Sequence, residues 1–404
     1  LPARRNEPTV ALAGDPAGAL AADPAARVSG TRKPISPHDR RKPMAAHAET
    51  PLREPGPATI PLADESPEAL YALLAERGWG DGFPVVAPTP ARVDAMLSGY
   101  DGDPDEVVGV LPPRLGEATP RVLAANAVMA GCPPQLLPLL VAAVRGMCAP
   151  EFNLRGVNST THPVSVMVLV HGDAVRRCGF NAGTGTLGPG NRANATLGRA
   201  VRLALLHIGG GTARGVGDQG MGDAATHGQP SKYTFCFAEN ADASPWPTYP
   251  RSLGLDAPSA VTVAGMENPH NLHDMETREN PAPILDKAAT VMATFGTNNA
   301  VVSGAEYFVV LGPEHAATLA AAGWARQDVQ AYLFEKARRR AGDFRAHFGA
   351  VLWRPWMRAL GDDDLQPMTD NPDNIRVLVA GGPGKHSLVV PSWGLTRSVT
   401  VPTA

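Results

Sequence analysis

Four stretches decide the fold: Val168-Leu169-Val170-His171-Gly172, Val261-Thr262-Val263-Ala264-Gly265, Phe308-Val309-Val310-Leu311-Gly312 and Val377-Leu378-Val379-Ala380-Gly381. Each is a short apolar run that stops at a glycine. An apolar run without polar alternation suits a strand buried on both faces, the usual situation in a parallel sheet covered by helices. Helical patterns over about 191–208, 284–294, 313–322 and 327–340 supply the crossovers, and KYTFCFA at 232–238 reads as a fifth strand. The sequence therefore predicts an α/β protein with a mainly parallel sheet. In open sheets of that kind ligands sit beyond the carboxyl ends of the strands, so the loops after these glycines are where chemistry is expected.

Working outward, Ser66-Pro67-Glu68 has the marks of a helix start, and Trp79-Gly80-Asp81-Gly82-Phe83-Pro84 those of a tight turn. Thr89-Pro90 and Thr119-Pro120 open two more helices, the second running to Gly131. After Cys132-Pro133-Pro134 an apolar helix covers about 135–147. Residues 61–150 thus read as a helical N-terminal region and 151–404 as the α/β domain. Residues 1–60 combine Ala, Pro, Arg and Asp without an apolar period, and they read as a disordered tail that cannot offset the entropy of ordering it.

The 404 residues are 44% hydrophobic, enough for a sizeable core. With 36 basic against 39 acidic residues the chain has no positive surplus to neutralise a phosphate backbone, which argues against nucleic acid as a partner. No stretch has the apolar length to cross a bilayer, and the first thirty residues break any signal-peptide core, so the expectation is a cytoplasmic protein without a membrane partner. The four cysteines, Cys132, Cys148, Cys178 and Cys236, lack both the CxxC spacing of a zinc site and the density of a disulfide framework. The residues name no cofactor, and a homo-oligomer is compatible with them.

Several constellations carry chemistry. Gly381-Gly382-Pro383-Gly384-Lys385-His386-Ser387 follows a strand directly: glycines permit close backbone approach, Lys385 adds charge, and His386 supplies an imidazole for proton transfer. Gly188-Pro189-Gly190-Asn191-Arg192 opens a helix, where amide groups, the dipole and the Arg192 guanidinium suit an anion. The polar run 151–163 offers Asn158, Thr161 and His162. These patterns make His162, His386 and Lys385 the catalytic candidates, and Asn158, Thr161, Asn191, Arg192, Gly382, Gly384 and Ser387 the substrate-binding ones. A weaker metal set is His270, His273 and Asp274 near Glu267, although HExxH is missing and Pro269 forbids a regular helix there. Asp81 and Cys132 are further candidates, each with a structural alternative: turn formation for the aspartate, a buried thiol for the cysteine. The loops near Gly156, Asn191, Glu267 and Gly381 are expected to converge in one cleft, and catalysis needs His386 or His162 within hydrogen-bond reach of a common substrate atom.

The stretches 308–342 and 377–402, together with EFNLRGVNSTTHP at 151–163 and GPGNRANATLGRAVRLALLHIGG at 188–210, resemble a bacterial family found alongside UGSC-type (seleno)proteins. The resemblance spans about residues 66–402. The small UGSC proteins are similar to selenocysteine-bearing subunits of the glycine and proline reductase systems, which implies thiol or selenol chemistry on a small carboxylated molecule, with a thiol or selenol redox protein as partner. This chain has no UGSC or CGSC motif, so no redox centre carries over to it. The expectation is an enzyme or enzyme subunit acting on a small anionic or amide-bearing substrate. Two alternatives stand beside it: a non-catalytic ligand-binding or scaffold subunit, and a metal-dependent hydrolase or lyase built on the His270 loop.

Overall fold

The computed structural model describes residues 64, 66–77, 79–211, 223–276, 279–299, 304–347 and 353–403. Residues 1–60, expected to be a disordered tail, lie outside these. The described residues, all of them after residue 60, belong to one compact unit.

Two four-stranded sheets form its centre. One has the order β12-β5-β3-β4 and the other β10-β7-β11-β6. Their strands are β3 (Ser165–Gly172), β4 (Cys236–Ala238), β5 (Ser259–Met266), β6 (His270–His273), β7 (Tyr307–Leu311), β10 (Ile375–Val379), β11 (His386–Pro391) and β12 (Val399–Thr403). Two small hairpins complete the set: β1 (Gly109–Leu111) with β2 (Gly116–Ala118), and β8 (Arg338–Arg340) with β9 (Leu365–Pro367).

Alternation along each strand stacks the two sheets face to face. Met167 and Leu169 of β3, Ala264 and Met266 of β5, Phe308 and Val310 of β7, Leu378 of β10 and Val390 of β11 form one shared apolar layer. Their neighbours point the other way. Val166, Val168, Val170, Val261 and Val263 pack with the helices Pro120–Ala130, Leu137–Met147 and Arg192–His207. Val309, Leu311, Val377, Val379 and Val389 pack with the helices Ala282–Met292, Pro313–Ala321 and Arg326–Lys336. The result is a four-layer α/β/β/α arrangement. Each fully buried valine, leucine or phenylalanine in these layers contributes about 1.5–3 kcal/mol relative to exposure.

The α/β expectation holds, but the sheet is not mainly parallel. Among the described strands of the two sheets only β7 with β10 and β3 with β4 run parallel, whereas β3–β5, β5–β12, β7–β11 and β6–β11 are antiparallel. Burial on both faces was read correctly from the valine runs. Here it comes from a second sheet on one side and helices on the other, a condition that antiparallel strands meet equally well.

Local starts follow the sequence closely. Ser66 Oγ accepts from the Ala69 amide, and the Thr89 and Thr119 hydroxyls accept from Arg92 and Val122, each ahead of a proline in the first turn. Asn191 caps Arg192–His207 by accepting from Asn194 N at 3.0 Å. The predicted helix at 327–340 ends at Lys336, because Arg338–Arg340 pairs with Leu365–Pro367 as a strand.

Candidate functional site

Strand direction sorts the candidate residues into two ends of the sheet stack. At one end lie the carboxyl ends of β7 and β10 and, because β6 and β11 pair antiparallel, His273 opposite His386. The Asn240 amide, just past β4, donates to Val379 O at 2.8 Å, so the carboxyl ends of β3 and β4 share that end. At the other end lie the amino end of β3, the carboxyl end of β5 and Pro391, whose carbonyl accepts from Glu267 N at 2.8 Å.

The first end holds a cavity of about 250 Å³. Its floor is Gly381, Gly382, Pro383 and Gly384, its facing wall Thr184, Gly185, Thr186 and Leu187, and its inner wall Phe237, Val310, Ala380 and Leu388, with His386 and Ser387 at the rim. Two glycines are required for close approach. A Cβ on Gly382 would meet Thr184 Oγ1 at 1.9 Å, and one on Gly312 would meet the His386 carbonyl oxygen at 2.2 Å. The facing loop is braced from within: Asn194 Nδ2 donates to Asn181 O and Thr186 O, and the Gly381 amide donates to Ala182 O. Within this frame the His386 ring nitrogens and the Thr184 hydroxyl hydrogen-bond no described residue, and the two groups are available to a ligand. The His386 ring lies 5.9 Å from that of His273.

Ser387 plays another part. Only 3% exposed, its hydroxyl accepts from Gly312 N at 3.0 Å and lies 2.7 Å from His315 Nδ1, while His315 Nε2 lies 3.2 Å from Asp274 O. A carbonyl can only accept, so Nε2 carries the proton and Ser387 donates to Nδ1. Burial pushes the His315 pKa down and outweighs Asp274, whose carbonyl and charge push it up. The connectivity is that of a serine–histidine pair, yet the hydroxyl is turned to the helix side of β11 and holds the rim in place. Beside it, Glu314 accepts from the Gly384 amide at 2.8 Å. His315 and Glu314 escaped the sequence reading because they sit on a regular helix; the only signal was their place directly after the strand-ending Gly312-Pro313.

Lys385 is next to the rim, its Nζ 3.4 Å from Met275 O, and it does not line the cavity. Neither does the Asn191–Arg192 pair. Asn191 Nδ2 donates to Gly179 O and Arg192 Nε to Gly131 O, which ties the helix start to neighbouring turns rather than to an anion.

The second end holds His162. Its Nε2 lies 2.8 Å from Glu267 Oε1, its ring stacks on Trp393 with centroids 6.4 Å apart, and its buried Nδ1 meets no described partner. Thr161 is exposed, and its carbonyl accepts from Thr226 N. Asn158 is buried and donates to Pro112 O at 2.8 Å. The expected single cleft is therefore not formed. His162 and His386 lie at opposite ends of β11, separated by six residues or about 20 Å of strand. In an all-parallel sheet the loops after β5 and β10 would share one edge; antiparallel pairing of β5 with β3 sends Glu267 to the opposite one.

His270 and His273, three apart on β6, point to opposite faces, and Asp274 is buried beside Lys287 with 3.4 Å between charged atoms. Among the described residues no cluster of three His, Cys, Asp or Glu side chains forms a metal-ligand set. Asp81, its side chain 3% exposed, takes Arg199 Nε at 2.7 Å and Nη2 at 2.9 Å, fixing the 79–84 turn to the Arg192–His207 helix. Cys132 Sγ donates to Thr196 O, and burial pushes its pKa up to about 12. Burial also raises Cys148, Cys178 and Cys236. Between the sheets Glu239, His171, Thr262 and Thr400 form a hydrogen-bonded chain with contacts of 2.7–2.8 Å. The Glu239 carboxylate also accepts from Tyr249 N, so its burial is compensated.

Among the described residues no helix is long and apolar enough to cross a membrane. Compared with models of known protein families and with curated proteins, the chain matches none.

Proposed function

We propose that the chain is an enzyme or enzyme subunit that takes a small anionic or amide-bearing molecule into the cavity at Gly381–Ser387, with His386 moving a proton. One observation carries this reading: a cavity of ligand size, floored by glycine backbone, has an imidazole and a hydroxyl at its mouth that no described residue engages. Lys385 contributes positive potential from beside the rim, and Gly382 and Gly384 let the substrate approach the backbone. His162 falls outside this site.

The thiol or selenol partner suggested by the resemblance enters the same proposal as a separate protein. The described cysteines of this chain are held protonated by burial, so a thiolate reacting with the substrate would be supplied from outside.

The experiment is a panel of small carboxylates and carboxamides incubated with the full chain in deuterated buffer, with and without a dithiol, and followed by NMR for solvent-derived deuterium or product. His386→Gln should slow any reaction about 100-fold while binding persists. Equal turnover by His386→Gln and the native chain would remove the histidine from the mechanism. Failure of every panel member to bind would contradict the site itself.

A further inference from the structure

The cavity changes character with depth. At its mouth stand the Gly382 backbone, Thr184 and His386; at its inner wall stand Phe237, Val310, Ala380 and Leu388. The first three of these belong to the apolar layer between the two sheets and Leu388 packs against it, so the cavity opens into the end of that layer. A purely polar molecule filling the volume would leave its inner half without hydrogen-bond partners against phenyl, isopropyl and isobutyl groups, at the cost of its hydration. A ligand with an apolar body gains by displacing water from the same surface.

From this we infer the substrate class: an amphipathic acid, with one carboxylate at the glycine loop and a compact apolar body, a single ring or a short branched chain, against Phe237, Val310, Ala380 and Leu388. Size sets the limit. An apolar cavity of about 150 Å³ holds one benzene ring, so about 250 Å³ accommodates a ring with its carboxylate and little more. Bicyclic acids and long acyl chains exceed it. The inference rests on the proposed anion site and adds the apolar half to it.

The test is calorimetric titration of the full chain with three probes: benzoate, acetate and benzyl alcohol. Benzoate should bind at least about tenfold more tightly than either of the others, since acetate lacks the body and benzyl alcohol the charge. Ala380→Leu, which fills the inner wall, should abolish the advantage of benzoate over acetate while acetate binding persists. The comparison on the native chain decides the matter even if that variant does not fold. Equal affinity for benzoate and acetate would overturn the amphipathic class and leave the anion site standing. Equal affinity for benzoate and benzyl alcohol, with acetate inert, would overturn the carboxylate requirement here and the anionic half of the proposed function. No binding of any probe would overturn the amphipathic class and that same anionic half, leaving only the amide-bearing half of the proposed function.

Discussion

The two ends of the sheet stack use similar residues to different effect. At one, Gly381-Gly382-Pro383-Gly384 and the 184–187 loop enclose a cavity and leave His386 without a described hydrogen-bond partner; at the other, His162 is committed to Glu267 and packed on Trp393. Both histidines follow the same logic in the sequence, a titratable ring in a polar loop at a strand end. What separates them is the backbone around them. Glycine on one side lets two loops meet with space between, whereas Glu267 and Trp393 on the other engage the ring. A histidine beside a strand end becomes a candidate for chemistry when its neighbours leave room, and that property belongs to the tertiary packing.

The comparison breaks most visibly at Gly382. In Gly382→Val the new side chain cannot coexist with Thr184 in its present place, so the 184–187 loop must move away from the floor. Binding at the cavity should fall by about 100-fold or more, at a stability cost of about 1–3 kcal/mol for the overpacked contact, measured by titration and by denaturant unfolding. Unchanged binding would place the ligand elsewhere.

The brace behind the rim gives a smaller effect with a defined pH sign. His315 has its folded pKa below the ordinary value of 6.5, so the unfolded chain takes the proton first. The stability due to the neutral ring is fully present above about 6.5 and is lost as pH falls from there toward the depressed folded value. Urea unfolding across pH 5–8 should show this loss, and His315→Gln should be less stable at pH 8 by roughly 1–2 kcal/mol and should lose that component of the acid dependence. A variant as stable as the native chain at pH 8 would show that the Ser387 contact carries no weight.

The smallest effect is expected at the far end. His162→Gln removes one half-buried contact to Glu267 and should cost on the order of 1 kcal/mol while changing affinity at the cavity by less than about twofold. A large loss of affinity would couple the two ends and undo their separation.

Much of the fold was legible. The valine runs and the Ser66-Pro67, Thr89-Pro90 and Thr119-Pro120 helix starts mark their elements because each depends on local chemistry, whereas Asn191, read as a substrate-binding residue, is a helix cap. Strand direction was not legible, since a run such as VTVAG is buried identically whether its neighbour runs up or down. The site inherited part of that ambiguity: the loop after β5 was expected beside the glycine loop with His386, whereas Asn158, Thr161 and His162 precede β3 and stand at its amino end whichever way its neighbours run, and Ser387 braces the rim instead of facing a substrate. Thr184 and His315 reach the rim only through long-range packing, and Arg192 and Asp81, suited by type to bind ligands, are engaged by Gly131 O and Arg199.

The central claim is that ligand chemistry belongs to the His386 end and not to the His162 end. Histidine ring resonances assigned with His386→Gln and His162→Gln, then followed by NMR during a benzoate titration, test it directly. The account predicts that the His386 ring signals move with saturation while those of His162 stay in place; movement of His162 with a stationary His386 would contradict it.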